Sequence, residues 1–201
     1  MIVDKVDFKG KDDLFELEIE GEKFNISYDT FNKLNIRSLC EISFEDYKKI
    51  VNEDDYLKAK KKALDIISYS EKTKSEIIFR LKKNNFSNES IEKVISFLNK
   101  YDFLNDDNYA KNYIHDKINF SKQSKRKTKY DLLKKGIDNS TIDKYLDEIS
   151  YEKEYDNCLY NAKKKAKSDF SLKNKQKVYR YLYYKGFDYD IINEVLSEIF
   201  I

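Results

Sequence analysis

Over the first thirty residues, apolar and polar side chains alternate. The stretches IVDKVDFK (2–9), LFELEIE (14–20) and KFNISYD (23–29) carry a period of two, which predicts three half-buried strands. Gly10 and Gly21 fall in the gaps between them, so an antiparallel meander with tight turns at GKDD and GE is expected. After that the period changes. TFNKL (30–34) and SFEDYKKIV (43–51) read as separate short helices, and from residue 56 apolar positions recur at helical spacing.

Sliding the chain against itself from residue 56 brings out a threefold repeat of about fifty residues. Leu81, Leu132 and Leu182 align, as do Phe86, Ile137 and Phe187. Ile91, Ile142 and Ile192 follow, then Ile95, Leu146 and Leu196. Each column has a physical reason. Asn85, Gly136 and Gly186 stand where a helix must end in the left-handed region that Gly and Asn tolerate. The apolar residue after each folds back on that helix, and Ser87, Asp138 or Asp188 is expected to cap the next one. An earlier helix opens each repeat. Its buried stripe is Tyr56, Ala59, Ala63 and Ile66 in the first, Ala110, Ile114 and Ile118 in the second, and Leu159, Ala162 and Ala166 in the third. Asn105 is a cap candidate, and Thr73 with Glu76 has capping-box spacing.

The fold class is therefore mainly α: three tandem three-helix repeats forming a short curved solenoid, behind a small antiparallel β-strand unit at the N-terminus. The expected organisation is residues 1–54 for the strand unit and short helices, then repeats over 55–104, 105–150 and 151–201.

Composition sharpens this picture. Charged residues make up 38% and proline is absent, which suits a helix-rich chain. The net charge of +2 hides a split: residues 1–55 carry 15 acids against 8 bases, and residues 56–201 carry 31 bases against 22 acids. A basic body joined to an acidic unit is suited to a polyanion, although scattered surface lysine gives the same total. No signal core and no membrane-length apolar run occurs, so a cytoplasmic protein is expected. Cys40 and Cys158 are too far apart in sequence for a cysteine framework and are expected to be reduced and packed.

Catalytic motifs are missing. Neither Gly136 nor Gly186 leads into a phosphate loop, and His115 has no partner at ligand spacing. NDDN (105–108) and NEDD (52–55) read as helix starts, where acids favour the N-terminal dipole, rather than as metal ligands. No cofactor, metal or enzymatic activity is expected.

Basic clusters remain as the candidate chemistry. Seven bases against Asp131 alone lie between Lys122 and Lys135, and eight against Asp169 alone between Lys163 and Arg180. Lys173, Lys177 and Arg180 share a helical face beside Tyr179, Tyr181, Tyr183 and Tyr184. Such a face can meet phosphates and bases, or an acidic protein. The bland alternative is a solvated lysine face over tyrosines that belong to the core.

At this point SEIIFRLKK, YDFLNDDNYAKNYI, YDLLKKGI and KVYRYLYYKGF resemble, in order, the signatures of the RecX family of bacterial recombination regulators. The resemblance spans about residues 55–201, and the N-terminal strands resemble an extension of some members. It implies a non-enzymatic modulator, an inhibitor, of the RecA recombinase in recombination, DNA repair and the SOS response. Such a protein lies as a monomer in the groove of the RecA filament on single-stranded DNA and restrains ATP hydrolysis and strand exchange. By position, Lys125, Lys127 and Lys129, with Lys175, Lys177 and Arg180, match basic positions of the family. With Arg126 and Lys173 they are the candidate contacts to DNA or filament. Two other readings stay open: a stand-alone, sequence-independent nucleic-acid-binding repeat protein, and a purely structural scaffold.

Overall fold

The computed structural model describes residues 1–10, 13–167 and 169–200. It divides into two compact units, Met1–Leu104 and Asn105–Ile201.

In the first unit, β1 (Val3–Lys9), β2 (Leu14–Ile19) and β3 (Glu22–Ser27) form an antiparallel sheet in that order. Ile19 pairs with Glu22, leaving Glu20 and Gly21 as a two-residue loop with φ of 52° and 82°. Two positive φ values make the primed turn whose twist suits a hairpin. The other expected turn includes Lys11 and Asp12, which lie outside the described residues. Val3, Leu17, Ile19, Phe24 and Ile26 form one buried face, closed by Ile36 and Ile50. Helix α1 (Tyr28–Lys33) follows β3 directly.

The next helix departs from the sequence reading. SFEDYKKIV and the opening helix of the first repeat are one 26-residue helix, α2 (Phe44–Tyr69), capped by Ser43. The expected boundary between residues 54 and 55 therefore falls in mid-helix. Ile50 belongs to the core under the sheet, whereas Ala59, Ala63 and Ile66 belong to the core of the first repeat. The acids of NEDD consequently do not start a helix. Glu53 accepts from the Ser27 N–H at 3.0 Å and Asp54 from the Asn25 N–H at 2.9 Å, satisfying donors on the outer edge of β3. Asp55 accepts from the N–H and hydroxyl of Ser87. A run of carboxylates that resembled a helix start serves as caps for other elements.

Helices α3 (Lys74–Lys83) and α4 (Asn88–Lys100) complete the first repeat. In the second unit, α5 (Asp106–Asn119), α6 (Lys125–Lys134) and α7 (Asn139–Leu146) form the second repeat. The third consists of α8 (Tyr151–Ala166), α9 (Leu172–Tyr184) and α10 (Tyr189–Ile199). Each repeat closes its own core, centred on Leu81, Leu132 and Leu182, all fully buried. Cys158 is packed in the third of these cores, and burial pushes its thiol up to about 12.

The helix-ending column has the expected backbone: φ is 62° at Asn85, 79° at Gly136 and 91° at Gly186. The Gly186 N–H donates to the Tyr183 carbonyl at 3.0 Å, and the Phe187 N–H to that of Leu182 at 3.2 Å. The same pair of bonds recurs at Gly136–Ile137 and Asn85–Phe86. This is the Schellman arrangement, with the apolar residue packed back on the helix it ends. Phe187 and Leu182 share the third core. Ser87 and Asp138 cap α4 and α7 as expected, and the Thr73–Glu76 capping box is formed. Asp188 differs: it holds the cap backbone geometry but makes no side-chain cap bond.

Candidate functional site on the second and third repeats

The basic residues singled out above lie on α6 and α9, both in the second unit. Ser124 and Ser171 cap these helices. Ser124 shares a repeat column with Thr73 and Asn174, so α9 starts one turn earlier than its counterparts. Asn174 is buried inside that extra turn and donates to the carbonyls of Ala166 and Asp169. The added turn carries Lys173, which extends the exposed basic face towards the N-terminus of the helix.

The structure divides the eight candidates into two groups. Lys125, Lys127 and Lys129 are half-buried and engaged within the unit. The Lys125 ammonium donates to the Ile149 carbonyl and its N–H to Glu154 at 3.1 Å. Burial holds the Glu154 carboxyl above its ordinary value, against the pull of the Lys125 N–H. Lys127 pairs with Asp131 at 2.6 Å and Lys129 with Asp143 at 2.5 Å. Asp131 is partly desolvated, yet hydrogen bonds from Lys127 and Gln123 hold its carboxyl below the usual range.

Arg126, Lys173, Lys177 and Arg180 are exposed, with Lys175 half-buried beside them. Among the described residues, the side chains of Lys173, Lys175, Lys177 and Arg180 make no hydrogen bond or ion pair. Lys173, Lys177, Arg180 and Tyr184 follow one another at i, i+4, i+7 and i+11, a single stripe along α9 opposite buried Val178 and Leu182. This stripe meets the second repeat at its C-terminal end. The Arg126 guanidinium donates to the Tyr183 carbonyl at 3.3 Å and lies over the Tyr183 ring, 5.4 Å from its centroid. Beside it, Lys122, Lys127, Tyr184 and Lys185 border a shallow cleft of about 190 Å³.

A polar seam fixes the two repeats at this junction. The Ser124 hydroxyl donates to the Lys185 carbonyl at 2.7 Å while accepting from the Lys127 N–H at 3.2 Å. On the other side, Asn157 donates to the Ile118 carbonyl and Asn161 to that of Lys122. A Cβ on Gly186 would stand 2.6 Å from the Ser124 oxygen, so the close approach of α6 to the α9–α10 turn needs glycine there. Arg126 and the α9 stripe are thereby held as one surface.

Sequence reasoning found the stripe from its spacing but missed the Arg126–Tyr183 contact, which joins residues 57 positions apart. One internal pair was legible: Lys127 and Asp131 stand at i, i+4 on a helix. Tyr183 and Tyr184 are exposed, whereas Tyr179 and Tyr181 pack against the core. No group of three or more His, Cys, Asp or Glu side chains among the described residues could hold a metal ion. None of the described helices is long and apolar enough to cross a membrane.

Comparison with known proteins places these repeats. Family profiles described as the first, second and third three-helix domains of RecX match residues 59–98, 105–146 and 152–196. The regulatory protein RecX of Finegoldia magna is 37% identical over 203 residues, covering 97% of this chain and 98% of the relative. That of Clostridioides difficile is 34% identical, covering 95% and 92%, and that of Clostridium acetobutylicum 43% identical, covering 77% and 75%. A crystal structure of a regulatory protein RecX shares the fold at a TM-score of 0.76, with 22% identity and 98% of both chains covered. The crystal structure of RecX from Lactobacillus salivarius aligns at a TM-score of 0.64 with 30% identity, covering 73% of this chain and 97% of that one.

Proposed function

Because the chain belongs to the RecX family of regulatory proteins, we propose that it is a non-enzymatic regulator of RecA. In this reading it lies in the groove of the RecA filament on single-stranded DNA and restrains ATP hydrolysis and strand exchange. It works in the cytoplasm as a monomer.

The observation that carries the reading is the exposed stripe Lys173–Lys177–Arg180, whose side chains form no ion pair among the described residues and which is continuous with Arg126 across the seam. Three cations in register along about two turns of helix match the spacing of a polyanion or an acidic protein surface. A filament presents such surfaces repeatedly. Modest contacts from successive repeats then reinforce one another, because each contact after the first is intramolecular. Lys125, Lys127 and Lys129 support the surface from beneath, since their charges are already partnered.

The test replaces Lys173, Lys177 and Arg180 together with Glu. Binding is measured to preformed RecA filaments and to bare single-stranded DNA across a salt series, with circular dichroism as the control for folding. Filament affinity is expected to fall while the spectrum stays unchanged. If the three residues neutralise phosphates, the slope of log affinity against log salt drops by about 2. If they face acidic protein, bare-DNA binding hardly moves. Wild-type filament binding and strand-exchange inhibition by the triple variant would reduce the stripe to a solvated face. Equal wild-type affinity for bare DNA and for filaments would favour a stand-alone nucleic-acid-binding protein.

A further inference from the structure

Every repeat places an aromatic residue just at or after the end of its first helix: Tyr69, Phe120 and Phe170, in register with the leucine column. A second surface column on the following helix holds Phe79, Tyr130 and Arg180. In the second and third repeats these aromatics are occupied at home. Phe120 meets His115 edge-on at 5.6 Å and Phe170 meets Phe200 at 5.9 Å. Tyr130 lies under the ammonium groups of Lys127 and Lys134, at 4.9 and 4.4 Å. The first repeat is different. Tyr69 is 88% and Phe79 68% exposed, and neither ring has an aromatic or cationic partner among the described residues.

Both rings line an open cleft of about 910 Å³ between the C-terminal half of α2 and α3. Ile66 contributes apolar surface between them, and Lys62, Arg80 and Lys83 stand on the rim. These three bases form no ion pair among the described residues. Lys72 adds a fourth positive charge, against the carboxylates of Asp65 and Glu76. The Glu76 carboxylate is already engaged by the Thr73 N–H in the capping box. The cleft therefore has an apolar, aromatic centre and a net basic border. Exposed aromatics next to Arg, rimmed by charge, have the make-up of a protein-binding hot spot.

The repeat columns separate this face from the basic stripe. Where the second and third repeats carry Lys127 and Lys177, the first carries Glu76, and where the third carries Arg180, the first carries Phe79. At these two columns the first repeat carries an acid and an aromatic where the third repeat carries two exposed bases. We propose that the α2–α3 cleft of the first repeat is a docking site for an acidic protein segment bearing large apolar side chains. Those side chains seat between Tyr69 and Phe79, and its carboxylates pair with Lys62, Arg80 and Lys83. This assignment is independent of the filament reading, because it uses a different repeat and needs large apolar side chains on the partner.

The test uses the full chain, labelled with 15N, and a fluorescein-labelled peptide of sequence Glu-Asp-Glu-Leu-Phe-Asp-Asp-Leu. A peptide with its Leu and Phe changed to Ala, and an oligothymidylate, are run in parallel. The acidic apolar peptide is expected to shift amide signals around Tyr69 and Phe79. Its affinity should fall at least about tenfold with the Tyr69→Ala, Phe79→Ala pair, and similarly with the Arg80→Glu, Lys83→Glu pair. The Ala-substituted peptide should lose binding to a similar extent, and Lys173→Glu should change nothing. Both aromatic side chains are exposed, so their removal leaves the core intact. Peptide binding that is indifferent to both variant pairs would overturn the proposal, as would no binding at all. Oligothymidylate shifting the cleft signals in place of the peptide would make this a nucleic-acid site and overturn it equally.

Discussion

Gly186→Ala is the most exacting test of how the second and third repeats are joined. At φ of 91°, any side chain at this position is strained by about 1–2 kcal/mol. The added Cβ would also stand 2.6 Å from the Ser124 oxygen, closer than a methyl group can approach, and a tight 3.1 Å from the Lys127 nitrogen. Ser124 is fully buried and holds two hydrogen bonds, so it cannot turn aside without losing them. Losing the cap on α6 costs about 1 kcal/mol and losing the bond to the Lys185 carbonyl about another. The expected destabilisation is therefore about 3–4 kcal/mol, read from equilibrium urea unfolding followed by far-UV circular dichroism. Gly21→Ala is the internal control. It has φ of 82° with nothing within 4 Å of an added Cβ, so strain alone, about 1 kcal/mol, is expected. The decisive measurement places Gly186→Ala in a Ser124→Ala background, where the oxygen it strikes is gone. The double variant should then be more stable than the sum of the single losses by about 1–2 kcal/mol. Additivity within about 0.5 kcal/mol would refute the steric account. Equal costs at Gly21 and Gly186 would reduce the requirement for glycine to backbone conformation alone.

Further outcomes follow from other parts of the fold. Hydrogen bonds from the Ser140 hydroxyl, then from the Thr141 N–H and hydroxyl, pull the Asp138 carboxyl down from 3.8 to about 2. A carboxyl depressed on folding adds stability above its unfolded value and loses it as the pH falls through the folded one, here from 3.8 towards 2. Asp138→Asn keeps the cap at neutral pH but should flatten acid unfolding in that window, measured as urea midpoints across a pH series. Asp54→Ala leaves the Asn25 N–H on the edge of β3 without its partner and should cost about 1–3 kcal/mol. Lys58→Ala removes only the exposed end of the same pair and should cost under about 1 kcal/mol. A loss at Lys58 as large as that at Asp54 would contradict this assignment.

What could be read from the sequence was whatever repeats or alternates locally. The leucine and isoleucine columns, the left-handed column at Asn85, Gly136 and Gly186, and the strand alternation each express one residue's local requirement. The α9 stripe was legible for the same reason, since i, i+4, i+7 spacing is a property of one helix. Features that depend on meetings between distant segments were not. Nothing local marks Lys129 as the partner of Asp143, or Arg126 as lying on Tyr183. The continuity of α2 was hidden because its two halves bury different faces, with Ile50 turned to the sheet and Ala59 and Ala63 to the repeat. The acids of 52–55 therefore looked like a break. The cleft at Tyr69 and Phe79 was not legible because it depends on which rings find a neighbour: Phe120 and Phe170 are exposed as well, but each meets another ring.

That continuous helix has an energetic consequence. Because α2 supplies side chains to both the sheet core and the first-repeat core, neither core can open fully while the other keeps this helix whole. The strand unit and the first repeat should behave as one cooperative foldon, with hydrogen-exchange protection rising and falling together. A ligand held at the α2–α3 cleft would then slow the opening of β-sheet amides it never touches. By the same linkage, an N-terminal truncation at residue 54 would loosen the first repeat and not merely shorten the chain.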